Sequence, residues 1–132
     1  SEDTLRGVER FLKRVENLAD NLTDEPMTAA QERLMHKLIA DATERIENMK
    51  FNTTISAMME YINAFPGGTM PRPAYETLLQ MLNPFAPHLT EEMWEKMGHT
   101  DMLVFQPWPT FDAAKLVETE KTIVVWSRML IL

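Results

Sequence analysis

The sequence predicts an all-α fold, a bundle of about five helices that ends in a short extended segment. Apolar residues recur at steps of three and four over most of the first 97 positions, which is the spacing of amphipathic helices. Proline- and glycine-rich stretches separate these regions, as expected for loops between helices. At 132 residues, with 45% apolar and 25% charged residues, the chain has the size and composition of one globular domain.

The first two helices are predicted from periodicity and from one capping motif. Residues 4–22 carry an apolar stripe: Leu5, Val8, Phe11, Leu12, Val15, Leu18, Ala19 and Leu22. After a break, Thr28 and Gln31 have the spacing of a capping box, in which two side chains satisfy free backbone donors at a helix start. A second helix should therefore follow Thr28 and run to about Met49.

A kink and a loop delimit the next two helices. The β-branched and cap-type residues of "KFNTTIS", at positions 50–56, are poor helix formers and predict a short break. Helical spacing then resumes to Phe65. "PGGTMPRP", at positions 66–73, is typical of a loop, and Pro73 suits the first turn of a fourth helix that runs to Leu82.

"NPFAPHLTEEMWEKMGH", at positions 83–99, predicts a corner between two helices. Pro84 should keep Asn83 out of helical angles, because the ring of a proline crowds the residue before it. Thr90 is the predicted N-cap of the fifth helix, and Gly98 is its predicted C-terminal stop.

The last thirty residues differ in character from the bundle. "MLVFQPWPTFD", at 102–112, is predicted to be extended, and 121–132 begins like a strand before ending in apolar residues. We therefore expect one helical domain at 1–118. Residues 119–132 would be either the truncated start of a following C-terminal domain or an altered tail.

Composition excludes several classes of function. Without cysteine the chain can form neither disulfides nor thiolate zinc sites. No apolar run of about 18 residues and no signal-peptide pattern is present, so we expect a cytoplasmic protein that does not enter a membrane. The three histidines, His36, His88 and His99, lack metal-site spacing, and the sequence has no phosphate-binding loop or nucleophile elbow. We expect no catalytic residue, metal or cofactor in this chain.

Charge is distributed unevenly, although the net charge of −7 argues against a freestanding nucleic-acid binder. One side of the first predicted helix gathers what we call the cationic face: Arg6, Arg10, Lys13, Arg14 and Asn17. Such a face could follow a phosphate backbone. The alternative is a solvated helix surface with pairs four residues apart.

Four stretches together resemble bacterial leucyl-tRNA synthetase, a class I aminoacyl-tRNA synthetase: "GVERFLKRVENL", "HKLIADATERIENMKFNTTISAMMEYINA", "RPAYETLLQMLNPFAPHLTEEMWEKMGH" and "QPWPTFDAAKLVETEKTIVV". They are similar to its helical anticodon-binding domain over about 120 residues. "FAPHLTEEMWE" is shared with the isoleucyl, valyl and methionyl relatives, whereas "RIENMKFNTTISAMMEY", "PWP" and "TIVV" point to the leucine enzyme. After "TIVV" this sequence departs from the family, with "WSRMLIL".

The resemblance implies a tRNA-binding (anticodon-binding) helical domain of a ligase used in protein biosynthesis. The whole enzyme joins leucine to tRNA(Leu) with ATP, and its HIGH and KMSKS motifs and nucleotide-binding fold are absent from this sequence. The implied partners are tRNA(Leu) and the catalytic core of the same chain. RNA backbone contacts are then favoured for the cationic face, with Lys50 and Arg72 as weaker candidates.

An alternative is a structural module that docks onto the catalytic core or onto a protein partner. Its docking patch would be the aromatic residues Phe105, Trp108 and Phe111, since aromatic side chains anchor interfaces. The same residues could instead pack on the bundle.

Overall fold

The computed structural model describes residues 2–45 and 50–116. Its five α-helices confirm the predicted all-α bundle: α1 (Glu2–Leu18), α2 (Ala29–Arg45), α3 (Phe51–Asn63), α4 (Arg72–Leu82) and α5 (Pro87–Lys96). The structure also has two 3-10 turns, Pro66–Gly68 and Leu103–Phe105, and two very short strands, β1 (Leu22–Thr23) and β2 (Met70–Pro71). Residues 113–116 are helical as well.

Helix α4 is the centre of the core. It contacts α2, α5 and both strands, and six of its eleven side chains are buried: Ala74, Tyr75, Leu78, Leu79, Met81 and Leu82. Burial of the neighbouring apolar faces around this helix supplies the main driving force for folding.

The predicted capping box at the start of α2 is present. The Gln31 backbone N–H donates to Thr28 Oγ1 at 3.2 Å, and the Thr28 N–H donates to Gln31 Oε1 at 2.9 Å. Gln31 also donates through Nε2 to the Ala64 carbonyl at 2.9 Å. One side chain thus caps α2 and joins its first turn to the end of α3.

Helix α1 ends four residues earlier than predicted, because its last turn tightens and its free carbonyls find other donors. The carbonyls of residues 16–18 accept bonds from the three backbone N–H groups of residues 19–21. The Val15 carbonyl accepts a bond of 2.7 Å from the buried Tyr75 hydroxyl. Burial raises the pKa of Tyr75, so the phenol remains a protonated donor.

The chain beyond α1 pairs with the chain before α4, so the prediction of helix up to Leu22 is wrong. Strands β1 and β2 run parallel, with Leu22 opposite Met70. The Met70 N–H also donates to the Asn21 carbonyl at 3.3 Å. Together with the Tyr75 bond, this pairing fixes the end of α1 against the start of α4.

Only the second half of α1 is buried. Phe11, Val15 and Leu18 are part of the core, whereas Leu5, in the predicted apolar stripe, is 64% exposed. Residues 2–10 contain no buried side chain. The helix therefore extends beyond the described part of the bundle.

The corner between α4 and α5 differs from the prediction in two details. Asn83 keeps helical angles (φ −51°, ψ −44°), and Ala86, not Thr90, is the N-cap of α5. Thr90 is fully buried, donates to the Ala86 carbonyl at 2.9 Å and accepts a bond of 2.9 Å from Asn83 Nδ2. Pro87 occupies the first turn, where a missing N–H costs nothing.

Gly98 ends α5, as predicted. Its φ of +100° is a left-handed conformation that favours glycine. Its N–H donates to the Glu95 carbonyl at 2.9 Å, and the His99 N–H donates to the Trp94 carbonyl at 3.4 Å. These two bonds are those of a Schellman motif, and they start the loop that follows α5.

The break predicted at positions 50–56 is almost entirely helical. Helix α3 begins at Phe51, so within positions 50–56 only Lys50 is outside the helix. The predicted end of α2 at Met49 lies outside the described residues, as do the tail at 119–132 and its domain boundary. Among the helices described, none is long and apolar enough to cross a membrane.

Tyr75→Phe should destabilise the protein by about 1–2 kcal/mol, because it removes the buried hydroxyl that donates to the Val15 carbonyl. Urea unfolding measures the loss, and hydrogen exchange should show faster exchange at residues 19–22. Tyr61→Phe is the matched control, since Tyr61 donates to the Ala74 carbonyl at 2.9 Å, away from α1. Equal exchange at 19–22 in both variants would contradict this anchoring role.

Candidate nucleic-acid interface

The cationic face lies on the solvent side of α1. All five of its residues are exposed, while Phe11 and Val15 on the other side are buried. The structure thus brings Arg6, Arg10, Lys13, Arg14 and Asn17 together on one surface, as the sequence predicts. Their contact with RNA stays a prediction.

Most of the positive charge on this face is not neutralised within the described chain. Lys13 Nζ lies 3.8 Å from Glu16 Oε1, with the two side chains 68% and 46% exposed, and such surface pairs contribute little. Arg6 and Arg10 make no ion pair or side-chain hydrogen bond with residues 2–45 or 50–116. Both guanidinium groups are therefore available to an anionic partner.

Arg14 is oriented without losing its charge. Its Nη2 donates to Asn63 Oδ1 at 2.6 Å, so a neutral amide at the end of α3 holds the guanidinium. Arginine has five N–H donors, and the remaining ones are free to bind phosphate oxygens in a forked arrangement. Asn63 is therefore a positioning residue.

The acidic flank of α1 is partly neutralised by α5. Lys96 Nζ lies 2.8 Å from Asp20 Oδ1, and this hydrogen bond raises the pKa of Lys96. An anionic ligand on α1 would otherwise be repelled by Asp20, together with Glu9 and Glu16. The pair thus reduces the negative field beside the cationic face.

Sequence reasoning missed both Asn63 and Lys96. Each is far from α1 along the chain, and no sequence pattern connects either residue to that helix. Their roles depend on how α3 and α5 pack against the end of α1, which no local pattern specifies.

The two weaker candidates, Lys50 and Arg72, are not part of the cationic face. Lys50 is exposed at the start of α3, about 20 Å along that helix from Asn63. Arg72 donates through Nη2 to the Met97 carbonyl at the end of α5, and its Nε lies 3.7 Å from Glu76. Arg72 therefore joins α4 to α5, and RNA contact by either residue stays a prediction.

The predicted aromatic docking patch is not a single surface. Trp108 and Phe111 are partly buried against the core, whereas Phe105 is 78% exposed. Trp108 Nε1 donates to Thr43 Oγ1 at 3.0 Å, and the Pro107 carbonyl accepts a bond of 2.9 Å from Gln80. Packing on the bundle is thus the correct alternative for two of the three aromatic residues.

His36 holds the end of this aromatic segment on α2. The Asp112 N–H donates to His36 Nδ1 at 2.9 Å, which requires a neutral imidazole because a protonated Nδ1 cannot accept. Burial, helped by the charge of Lys115, lowers the pKa of His36, and the nearby carboxylates of Asp112 and Glu32 oppose the shift. Lys115 itself lies 2.9 Å from Glu32.

Nothing in the described ranges forms a metal site: no group of three or more histidine, aspartate or glutamate residues there is placed to hold an ion. What the site offers is an exposed row of cations on a helix whose end is fixed. Such a row can bind phosphate groups along a backbone, and phosphate contacts carry no sequence information.

Comparison with known proteins relates the second half of the chain to a protein family. Residues 69–130 match the family model described as the anticodon-binding domain of tRNA ligase. These residues include α4 and α5, whereas α1, α2 and α3 lie outside the match.

The resemblance to leucyl-tRNA synthetase is also confirmed. The chain is 41% identical over 129 residues to a protein named leucine--tRNA ligase from Chlorobium phaeobacteroides (strain BS1). That alignment covers 92% of this chain but only 16% of the relative. The chain thus spans about a sixth of the length of this curated relative.

The bond at His36 should make stability depend on pH. Because the pKa of His36 is lower in the folded chain than its usual 6.5, the unfolded chain takes up the proton first, and stability falls as pH drops below about 6.5. His36→Asn keeps an acceptor for Asp112 but does not titrate, so its urea-unfolding free energy should fall less from about pH 7 to about pH 5.5.

His88→Asn is the matched control, because His88 is exposed on α5. This variant should keep the full pH dependence of the parent chain. Parallel stability curves for His36→Asn and the parent would contradict the assigned role of His36.

Proposed function

We propose that this chain is the tRNA-contacting helical domain of a leucyl-tRNA synthetase, with the cationic face of α1 placed along the phosphate backbone of tRNA(Leu). One observation carries the proposal. The cations of α1 are exposed and largely unpaired, and the C-terminal end of this helix is fixed to α4. The match of residues 69–130 to an anticodon-binding domain, and the 41% identity to a leucine--tRNA ligase over 92% of the chain, support RNA as the anionic partner.

The proposed contact positions the tRNA and does not identify it. Arginine and lysine side chains on one helix face bind phosphates, which are the same in every sequence. Affinity from three or four cations would be modest and sensitive to salt, and the net charge of −7 lowers it further. The domain would hold the tRNA body while stronger contacts elsewhere in the enzyme act.

The proposal assigns the chemistry to the rest of the polypeptide. In the whole enzyme a catalytic core would join leucine to tRNA(Leu) with ATP, and this domain would bind no cofactor of its own. Its partners would be the tRNA and that core, in the cytoplasm. The small share of the relative that this chain covers is consistent with such a division of labour.

A double variant tests the contact directly. Arg10→Gln with Lys13→Gln should weaken binding of a tRNA(Leu) transcript to the 132-residue chain by about tenfold at low salt. It should also reduce the slope of log K against log salt by about 2, that is, about 1 for each lost phosphate contact. Fluorescence anisotropy of labelled transcript across salt concentrations measures both quantities.

Arg33→Gln with Lys37→Gln is the matched control, since it removes one arginine and one lysine from α2 and changes the net charge equally. This control should keep most of the affinity. If both double variants lose the same affinity and the same salt slope, binding reflects net charge alone, and the proposed role of α1 is wrong.

A further inference from the structure

An apolar pocket of about 140 Å³ lies inside the bundle, where α2, α3 and α4 meet beneath the segment that follows α5. Its inner wall is formed by five buried residues of these three helices: Leu38, Ala42, Thr54, Met58 and Met81. Its outer wall includes Phe85 and Trp108, which are partly buried. We call this space the Trp108 pocket. None of the described residues that line it belongs to α1.

The two aromatic side chains of the outer wall are held in place by residues outside the pocket. Trp108 Nε1 donates to Thr43 Oγ1 on α2 at 3.0 Å. The ring of Phe85 packs against that of Phe51, with ring centroids 5.8 Å apart. The outer wall is therefore formed without a ligand, so a ligand would have few side chains to order on binding.

The pocket offers a bound molecule almost no polar partner. None of the described residues that line it is charged, and only Thr54 and Trp108 among them have polar side chains. The Thr54 hydroxyl donates to the Lys50 carbonyl at 3.1 Å, and the Trp108 N–H is bonded to Thr43. A buried water needs about two to four polar partners. Of these described side chains, only the Thr54 oxygen could still accept a bond, so the pocket favours an apolar occupant.

Size and residue type together indicate the kind of ligand. An apolar protein cavity of about 150 Å³ stays dry and binds benzene, so a pocket of this volume can hold one six-membered ring. The thioethers of Met58 and Met81 adapt to the shape of a ligand, and methionine sulfur contacts aromatic rings favourably. A nucleobase is disfavoured, because the donors and acceptors on its edge would be left unpaired.

We propose that the Trp108 pocket is a binding site for a small, uncharged molecule built on one aromatic ring. The ring would contact Met58 and Met81 on the inner wall and Trp108 on the outer wall. Because Trp108 is bonded to Thr43, a ligand that binds the closed pocket would also hold the segment after α5 more firmly against α2. This site is independent of the proposed RNA contact on α1.

The test uses the whole 132-residue chain, with ¹³C in the methionine methyl groups and benzene as the probe. The methyl resonances of Met58 and Met81, assigned with Met58→Leu and Met81→Leu, should shift and saturate. Half-saturation at roughly 1 mM is expected for a ligand of this size. Met70 and Met93 are buried but do not line the pocket, so their resonances should shift much less. No shift at Met58 and Met81, or equal shifts at all four methionines, would overturn the proposal.

Benzoate separates an apolar site from general affinity for aromatic rings. It has the same ring as benzene but carries a charge that the pocket cannot pair, so it should bind more weakly by about tenfold or more. Equal affinity of the two molecules for the parent chain would contradict the assigned ligand class.

Two variants of α2 test the location of the site. Ala42→Leu adds an isopropyl group to the pocket wall and should weaken benzene binding by about tenfold or more. Ala30→Leu is the matched control, since it makes the same change at an exposed position of the same helix and should leave the affinity within about twofold of the parent. Equal affinities for the two variants would reject the Trp108 pocket. If Ala42→Leu does not fold, the methionine shifts of the parent chain decide the question.

Discussion

The attachment of α1 to α4 is the constraint on which the rest of the molecule depends. The Tyr75 hydroxyl bonds the Val15 carbonyl, and Leu22 pairs with Met70 in the short parallel ladder. Because these contacts fix both the end of α1 and its rotation, Phe11 and Val15 face the core, and the cations between them face solvent. Without them, α1 would have only a half-buried apolar stripe to orient it.

The same packing separates charge on a molecule that is acidic overall. Lys96, the last residue of α5, neutralises Asp20 beside the cationic face, so the acidic flank of α1 opposes an anionic partner less. This separation explains how a chain with a net charge of −7 can carry a candidate phosphate-binding face.

Local sequence patterns predicted the local structure. Contacts between separate segments of the chain could not be predicted from those patterns. The helices, the Thr28–Gln31 capping box and the stop at Gly98 follow from spacing and residue type. The early end of α1 does not follow from such patterns, because it depends on the pairing of Leu22 with Met70. The burial of Thr90 does not either, because it depends on the hydrogen bond from Asn83. The same is true of the candidate site. The cationic face could be predicted from the sequence, whereas the roles of Asn63 and Lys96 could not.

The central claim is that the outward face of α1 meets RNA, and position-specific photo-crosslinking tests it most directly. A photoreactive amino acid replaces Glu9, an exposed residue beside the cationic face, so that all of the cations are kept. A second variant carries the same amino acid in place of Glu44 on α2 and serves as the reference. The account predicts that irradiation with a tRNA(Leu) transcript at low salt gives an RNA adduct at position 9 and little at position 44. Equal adduct yields, or a higher yield at position 44, would contradict it.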